Sequence, residues 1–320
     1  MDKKKVVYLF PGQGAQYSGM AMDFLSSTAV KSLFDTASEI FGKDVEELLQ
    51  SDADNLKRTD VSQPVITLAN LAAAVYLGEQ GYSPVACAGF SLGEYAALVS
   101  AGILDAADCL RLVKARGEAM QKTSDSLREA SGGDAAAAPG MAAIVGLAPQ
   151  QVEDLIAQWS AAGLKDLYAA NINSPKQVAV SGTAAALTEA ETRFKEAGAK
   201  RVIRLQVAGP FHSPLMSDSA ATFAQVLDAV TFRDPVIPIY SNVTGKKITS
   251  GAEAKKLALL QITSPVRWIE EEAAIAAAGA EACLEVGPGK VLQGLWRDSG
   301  SEIPVFAAGT VEDISKIGSN

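Results

Sequence analysis

The apolar run Val6–Phe10 stops abruptly at the glycine-rich "PGQG", the pattern of a short buried strand closed by a turn. Helical sequence follows around 20–25, so the chain opens as a strand-to-helix unit and predicts α/β architecture. Apolar positions at helical spacing fill "SQPVITLANLAAAVYLGEQG". The small apolar run "VACA" then leads into a glycine-bounded turn and the helix-forming "EYAALVS". A further helix is predicted over 106–121. After it, "SDSLREASGGDAAAAPG" collects Ser, Gly, Asp and Ala and reads as a loop or linker.

Beyond that linker the periodicity changes. "MAAIVGL" alternates as a strand, "PQQVEDLIAQWSAAG" is helical, and "LYAANIN" and "QVAVSG" are strands around a Ser-Pro turn. Helical "AAALTEAETRFKEAG" and strand-like "KRVIRLQV" complete a β-α-β-β-α-β order, that of a ferredoxin-like unit. The α/β pattern then resumes with helical "HSPLMSDSAATFAQVLDAV", strand-like "VIPIYSN", two helices, the strand "ACLEVGP" and a helix after Lys290. The expected organisation is a discontinuous α/β domain, 1–138 and 208–320, with a smaller domain, 139–207, inserted in it.

With 48% hydrophobic residues the chain can fill a sizeable core. None of its apolar runs approaches the ~18 uninterrupted residues of a membrane span, and no signal peptide or anchor is expected. A net charge of -9 without a cationic cluster argues against a nucleic-acid partner. Cys87, Cys109 and Cys283 are far apart and lack C-x-x-C spacing, so neither a disulfide framework nor a metal site is signalled. Reduced core thiols and a cytoplasmic protein are the expectation.

Gly89-Phe90-Ser91-Leu92-Gly93 satisfies G-x-S-x-G between a strand and a helix, the setting in which a serine projects from a sharp turn as a nucleophile. Flanking glycines let strained backbone pass close to its neighbours. At the start of a helix the Leu92 N–H is the natural donor to a developing oxyanion. The alternative for Ser91 is an ordinary helix N-cap. A serine nucleophile needs a base, and the chain has one histidine, His212, at the Gly-Pro break of "AGPFHSPLM". An acidic residue to orient the ring is not identifiable; a backbone carbonyl accepting the other ring N–H serves equally, leaving dyad and triad both open.

Five runs in order, "LFPGQGAQ", "GFSLGEYAAL", "RGEAMQ", "GPFHSPLM" and "LEVGPGKVL", together resemble the malonyl-CoA:acyl carrier protein transacylases of type II fatty-acid and polyketide synthesis. The resemblance implies an α/β-hydrolase-like large domain with a ferredoxin-like insert. It implies Ser91 as nucleophile, His212 as base and then acid, and the backbone N–H groups of Gln13 and Leu92 as oxyanion donors. It also implies Arg116 as the clamp on the malonate carboxylate, Gln261 as the residue whose carbonyl orients the histidine, and Asn171 and Asn173 facing coenzyme A. The partners implied are malonyl-CoA and acyl carrier protein, with no metal, no cofactor, and a monomer.

Two departures stand out. Phe90 occupies the position where many members carry histidine, and the loop "REASGGDAAAAPG" is longer and richer in alanine than expected. Phe211 matches a bulky residue of malonyl-selective members, with core packing as its other reading. Arginine suits a carboxylate because its planar guanidinium pairs with it through two parallel hydrogen bonds; the alternative for Arg116 is a solvated helix face. Lys195, Lys200, Arg201 and Arg204 form a basic group near the end of the small domain, a candidate carrier-protein surface or simply a solvated face. An esterase shares the elbow, but its histidine lies near the C-terminus and it has no counterpart of "FPGQG" or "GPFHS". A non-catalytic carrier-binding scaffold has no use for Ser91 and His212.

Overall fold

The structure is a computed structural model describing residues 6–134 and 136–317. A four-stranded parallel sheet is built from β1 (Val6–Phe10), β2 (Ala86–Gly89), β7 (Ala282–Glu285) and β8 (Val305–Ala307), in the order β2-β1-β7-β8. The two middle strands and β2 are buried throughout, which is why β1 and β2 read as unbroken apolar runs, while β7 closes on the buried Glu285. Phe10 stands opposite Gly89 and Leu9 opposite Glu285. Parallel strands in this register bring the turns after β1, β2 and β7 to one carboxyl edge, where open α/β sheets place their ligands.

The remaining four strands, β3 (Gly140–Val145), β4 (Leu167–Ser174), β5 (Gln177–Gly182) and β6 (Arg201–Arg204), form an antiparallel sheet in the order β4-β5-β3-β6. Helices Pro149–Ala161 and Ala184–Glu196 cover one face, giving an apolar cluster of their own around Ile144, Trp159, Val178, Val180 and Phe194. The alternate residues Met141, Ala170 and Ala179 belong instead to the main core, as a period of two requires. Backbone bonds from Ile172 to Val266 and from Val266 to Ala170 join β4 to the larger body.

Helix Thr59–Glu79 is long and apolar enough to cross a bilayer, yet 78% of that window is buried inside the fold, as the central helix of the core. Pro64 lies inside this helix, beyond its first turn, and leaves the Asp60 carbonyl without its i+4 donor.

Three expected boundaries are corrected. The linker begins later than predicted: the helix that starts at Ala106 runs through 121 to Ala130, and the chain leaves it only at Ser131 and the left-handed Gly132 and Gly133. Ser124 is accommodated because its hydroxyl bonds back to the Met120 carbonyl, and Asp125 because it pairs with Arg128. The run "VIPIYSN" is not a strand but an extended segment with single bridges from Ile239 to Cys87 and from Tyr240 to Lys247, since Pro238 offers no N–H to a ladder. The last antiparallel strand is confined to Arg201–Arg204, the edge of its sheet, rather than spanning 200–207.

Candidate active site

Ser91 has φ +50°, in the left-handed region, at the junction of β2 and helix Gly93–Ser100. The turn is tight enough that a Cβ on Gly89 would lie 2.1 Å from the Gly93 carbonyl carbon, and one on Gly93 would lie 2.0 Å from the Phe10 carbonyl oxygen. Gly93→Ala therefore displaces β1 or the elbow. A loss of about 1–3 kcal/mol, the range for overpacking, is expected as a lowered unfolding midpoint in denaturant.

The loop after β1 lies directly on this elbow. A Cβ on Gly12 would meet the Phe90 carbonyl oxygen at 2.4 Å and the Leu92 nitrogen at 3.6 Å. Asn70, from the central helix, anchors the loop by donating to the Pro11 carbonyl at 2.9 Å. Among the described residues, neither the Gln13 nor the Leu92 N–H has a hydrogen-bond acceptor. Two unspent amides thus sit on adjoining turns beside the serine.

His212 comes from the chain after β6, also at positive φ (57°), and is 4% exposed. Its Nε2 lies 2.7 Å from Ser91 Oγ, and its Nδ1 lies 2.9 Å from the Gln261 carbonyl oxygen. A carbonyl only accepts, so Nδ1 carries the proton and Nε2 is free to accept from the serine hydroxyl. Gln261 follows helix Gly251–Leu260, where terminal carbonyls have no partner within the helix, which leaves one for the histidine. Burial, and then the charge of Arg116, lower the His212 pKa from 6.5 to about 4, against the opposing backbone bonds to Gln261 and Ser264.

Arg116 is 1% exposed, so the solvated-face reading fails. Its Nη1 donates to Gln63 Oε1 at 2.8 Å and its Nη2 to Gln261 Oε1 at 3.1 Å, while Nε has no partner. The guanidinium lies over the Tyr95 ring at 5.5 Å. No carboxylate among the described residues forms a salt bridge with it, although Glu94 is close enough to act through its charge. An arginine held by neutral amides keeps its charge for an incoming anion.

Ser91, His212, Arg116 and Gln261 are joined by hydrogen bonds at this carboxyl edge, with Leu92 and the Gln13 loop on the adjoining turns. Phe211 is buried in the main core, with its carbonyl accepting from Ser181 Oγ. Phe90 packs edge-to-face on Trp268 at 5.5 Å. Asn171 and Asn173 lie buried on β4. In the basic group, Lys195 pairs with Glu191, and Arg204 donates to Thr188 and the Ala184 carbonyl.

Sequence reasoning missed the layer beneath. Asn242, fully buried, accepts from the Ser91 N–H at 2.6 Å. Glu94 and Glu271, also buried, bond to Asn242, and Gln63 holds Arg116. Glu94 stood inside the quoted elbow run, but nothing in the spacing signals that Asn242 lies beside it. Burial raises Glu94 to about 7 and raises Glu271 well above its usual value.

Known proteins match this chain over nearly its full length. The acyl transferase domain model matches residues 7–317. The malonyl CoA-acyl carrier protein transacylase of Bacillus subtilis is 38% identical, over 97% of this chain and 95% of its own. That of Escherichia coli K12 is 38% identical over 90% of each chain. An acyl carrier protein S-malonyltransferase structure from Vibrio cholerae superposes with a TM-score of 0.89 at 35% identity, over 98% of this chain and 100% of that one. A malonyl-transacylase solved in complex with its type II PKS acyl-carrier protein gives 0.88 at 32% identity, covering 98% of both. With its family domain spanning nearly every residue and its elbow, histidine and arginine assembled on one sheet edge, the chain belongs to the acyl transferase family, among the malonyl CoA-acyl carrier protein transacylases.

Proposed function

We propose that the protein transfers a malonyl group from coenzyme A to the phosphopantetheine thiol of an acyl carrier protein through a malonyl-Ser91 ester. The observation that carries this is the Ser91–His212–Gln261 relay set close to a buried arginine without an anionic partner. Ser91 Oγ attacks the thioester carbon as its proton passes to His212 Nε2. The oxyanion takes hydrogen bonds from the Gln13 and Leu92 amides, and Arg116 holds the distal carboxylate. Collapse breaks the C–S bond, and the leaving sulfur takes the proton from His212. The carrier thiol then attacks the ester by the same steps in reverse, releasing Ser91.

No cofactor is needed for this sequence, since the thioester already presents an activated acyl group and one thioester is exchanged for another. The chain divides, on this reading, into an α/β-hydrolase-like body, 1–138 and 208–320, and a ferredoxin-like unit, 139–207. The order β3, helix, β4, β5, helix, β6 supports the latter. Asn171 and Asn173 face coenzyme A, and the enzyme works as a cytoplasmic monomer. Mass spectrometry after mixing with malonyl-CoA tests the mechanism: a malonyl adduct mapped to Ser91 is expected, and an unmodified Ser91 in folded protein removes the proposal.

The base must be neutral, so activity is lost as pH falls through the pKa of His212. The acid limb of kcat/KM is expected at about pH 4. Bound malonate offsets the Arg116 charge that helps depress His212, so the acid limb of kcat is expected at higher pH than that of kcat/KM. Coincident limbs in a pH series would show that the arginine does not meet the carboxylate.

A further inference from the structure

We infer that Asn242 is a positioning residue for the nucleophile, a polar clamp that holds the Ser91 main chain in its strained turn and ties it to the arginine side of the site. The inference rests on the acyl-transfer reading above. Asn242 is fully buried and uses both ends of its amide. Oδ1 accepts from the Ser91 N–H at 2.6 Å and from Gln261 Nε2 at 3.2 Å. Nδ2 donates to the Gly89 carbonyl at 2.7 Å and to Glu271 Oε1 at 2.8 Å. The reverse placement of the amide sets donor against donor and acceptor against acceptor, so the partners themselves determine its orientation.

The consequences follow from which groups are held. The clamp binds the elbow on both sides of Phe90, at the Gly89 carbonyl and the Ser91 amide, where φ is +50° and no regular structure supplies partners. It also commits the Ser91 N–H inward, leaving the adjoining Leu92 N–H as the amide available to an oxyanion. Through Gln261 the clamp extends outward: Nε2 donates to the Ser91 carbonyl at 3.0 Å, while Oε1 accepts from Arg116. Asn242 is itself seated by its own N–H on Glu94 Oε2 at 2.7 Å. The ionisable groups around it are Glu94 on helix Gly93–Ser100, Glu271 on helix Trp268–Ala277, and, through Gln261, Arg116 and His212. Burial first, and then Glu94, Glu272 and Glu270 around it, hold the Glu271 carboxyl well above the usual carboxylate range. A neutral donor at Nδ2 is what this acidic corner accepts; an anion there is repelled.

Asn242→Asp and Asn242→Ser, compared with the wild type in malonyl transfer across pH, test the idea. In Asn242→Asp the protonated carboxyl can still accept from Ser91 and donate to one of the two remaining partners, whereas the anion faces the Gly89 carbonyl and Glu271. The activity of Asn242→Asp relative to wild type is therefore expected to fall as pH rises, the acidic surroundings lifting the pKa of the introduced carboxyl above the ordinary carboxylate range. Asn242→Ser lacks the reach for either end of the clamp. Its kcat is expected to fall on the order of a hundredfold, the scale of a misplaced reacting group, with KM for malonyl-CoA unchanged. A ratio of Asn242→Asp to wild-type activity that is flat with pH overturns the inference, as does an Asn242→Ser variant whose loss lies in KM. If Asn242→Asp does not fold, the kcat-against-KM split of Asn242→Ser decides alone. Wild type that forms no malonyl-Ser91 adduct refutes the acyl-transfer reading; normal labelling with unaffected variants refutes only the clamp.

Discussion

Replacing His212 with alanine is expected to lower kcat by about 10²- to 10⁴-fold, the usual contribution of a positioned base, while the protein stays folded. The ring bonds to the nucleophile through Nε2 and to the Gln261 carbonyl through Nδ1, with the Ser264 backbone also acting on it. Removing it leaves no buried charge behind. Because the chain has no other histidine, no neighbour can substitute as base. Phe90, at the position beside Ser91 where a second imidazole would be the obvious replacement, packs on Trp268 and offers no proton acceptor. Stopped-flow measurement of coenzyme A release from malonyl-CoA checks the first half-reaction directly. A variant that retains near wild-type acylation would move the base role elsewhere. Added imidazole is expected to restore part of the rate through the vacated space, a response that a purely structural histidine would not give.

Arg116→Ala is expected to reduce malonyl transfer while sparing or raising acetyl transfer, so that the preference between them collapses. Each charge-assisted hydrogen bond contributes ~1.5–3 kcal/mol, so a two-pronged clamp accounts for a hundredfold or more of selectivity. The substitution also strips the Gln63 and Gln261 side-chain oxygens of their donor. That structural cost falls on both substrates alike, and the ratio of kcat/KM values separates it from loss of the clamp. An equal fall for malonyl- and acetyl-CoA would make Arg116 a structural residue only. The same variant reports on electrostatics. The arginine charge is the second cause of the low His212 pKa, so its removal is expected to shift the acid limb of kcat/KM upward from about 4.

How much of this was legible in the chain differs by element. The buried strands β1 and β2 were readable because an apolar run closing on a glycine turn has few other structural meanings, and β7 because its apolar residues flank the single Glu285 before Gly287. The β-α-β-β-α-β order was readable because alternation at period two and helices at period 3.6 are local properties. The extension of the Ala106–Ala130 helix was not: Ser124 and Asp125 look like loop residues until their hydrogen bonds along the helix are seen. The segment ending at Asn242 was misread for the converse reason. Val236, Ile237, Ile239 and Tyr240 carry a strand's residues, while proline breaks its ladder.

The candidate nucleophile, base and anion-binding residue, Ser91, His212 and Arg116, could be named from the chain, because a glycine-bounded serine, a solitary histidine and an arginine in a matching family run each have restricted chemistry. The resemblance already pointed to the Gln261 carbonyl beside the histidine, but why that carbonyl is free, and what holds the serine, came from the fold. The Gln261 carbonyl is free because its helix ends there, and Asn242 lies 151 positions from Ser91 yet within 2.6 Å of its amide. Such contacts arise from packing of separate elements, and the hydrogen bonds that make them involve backbone groups every residue possesses. A residue's type does not announce them; its place in the fold does.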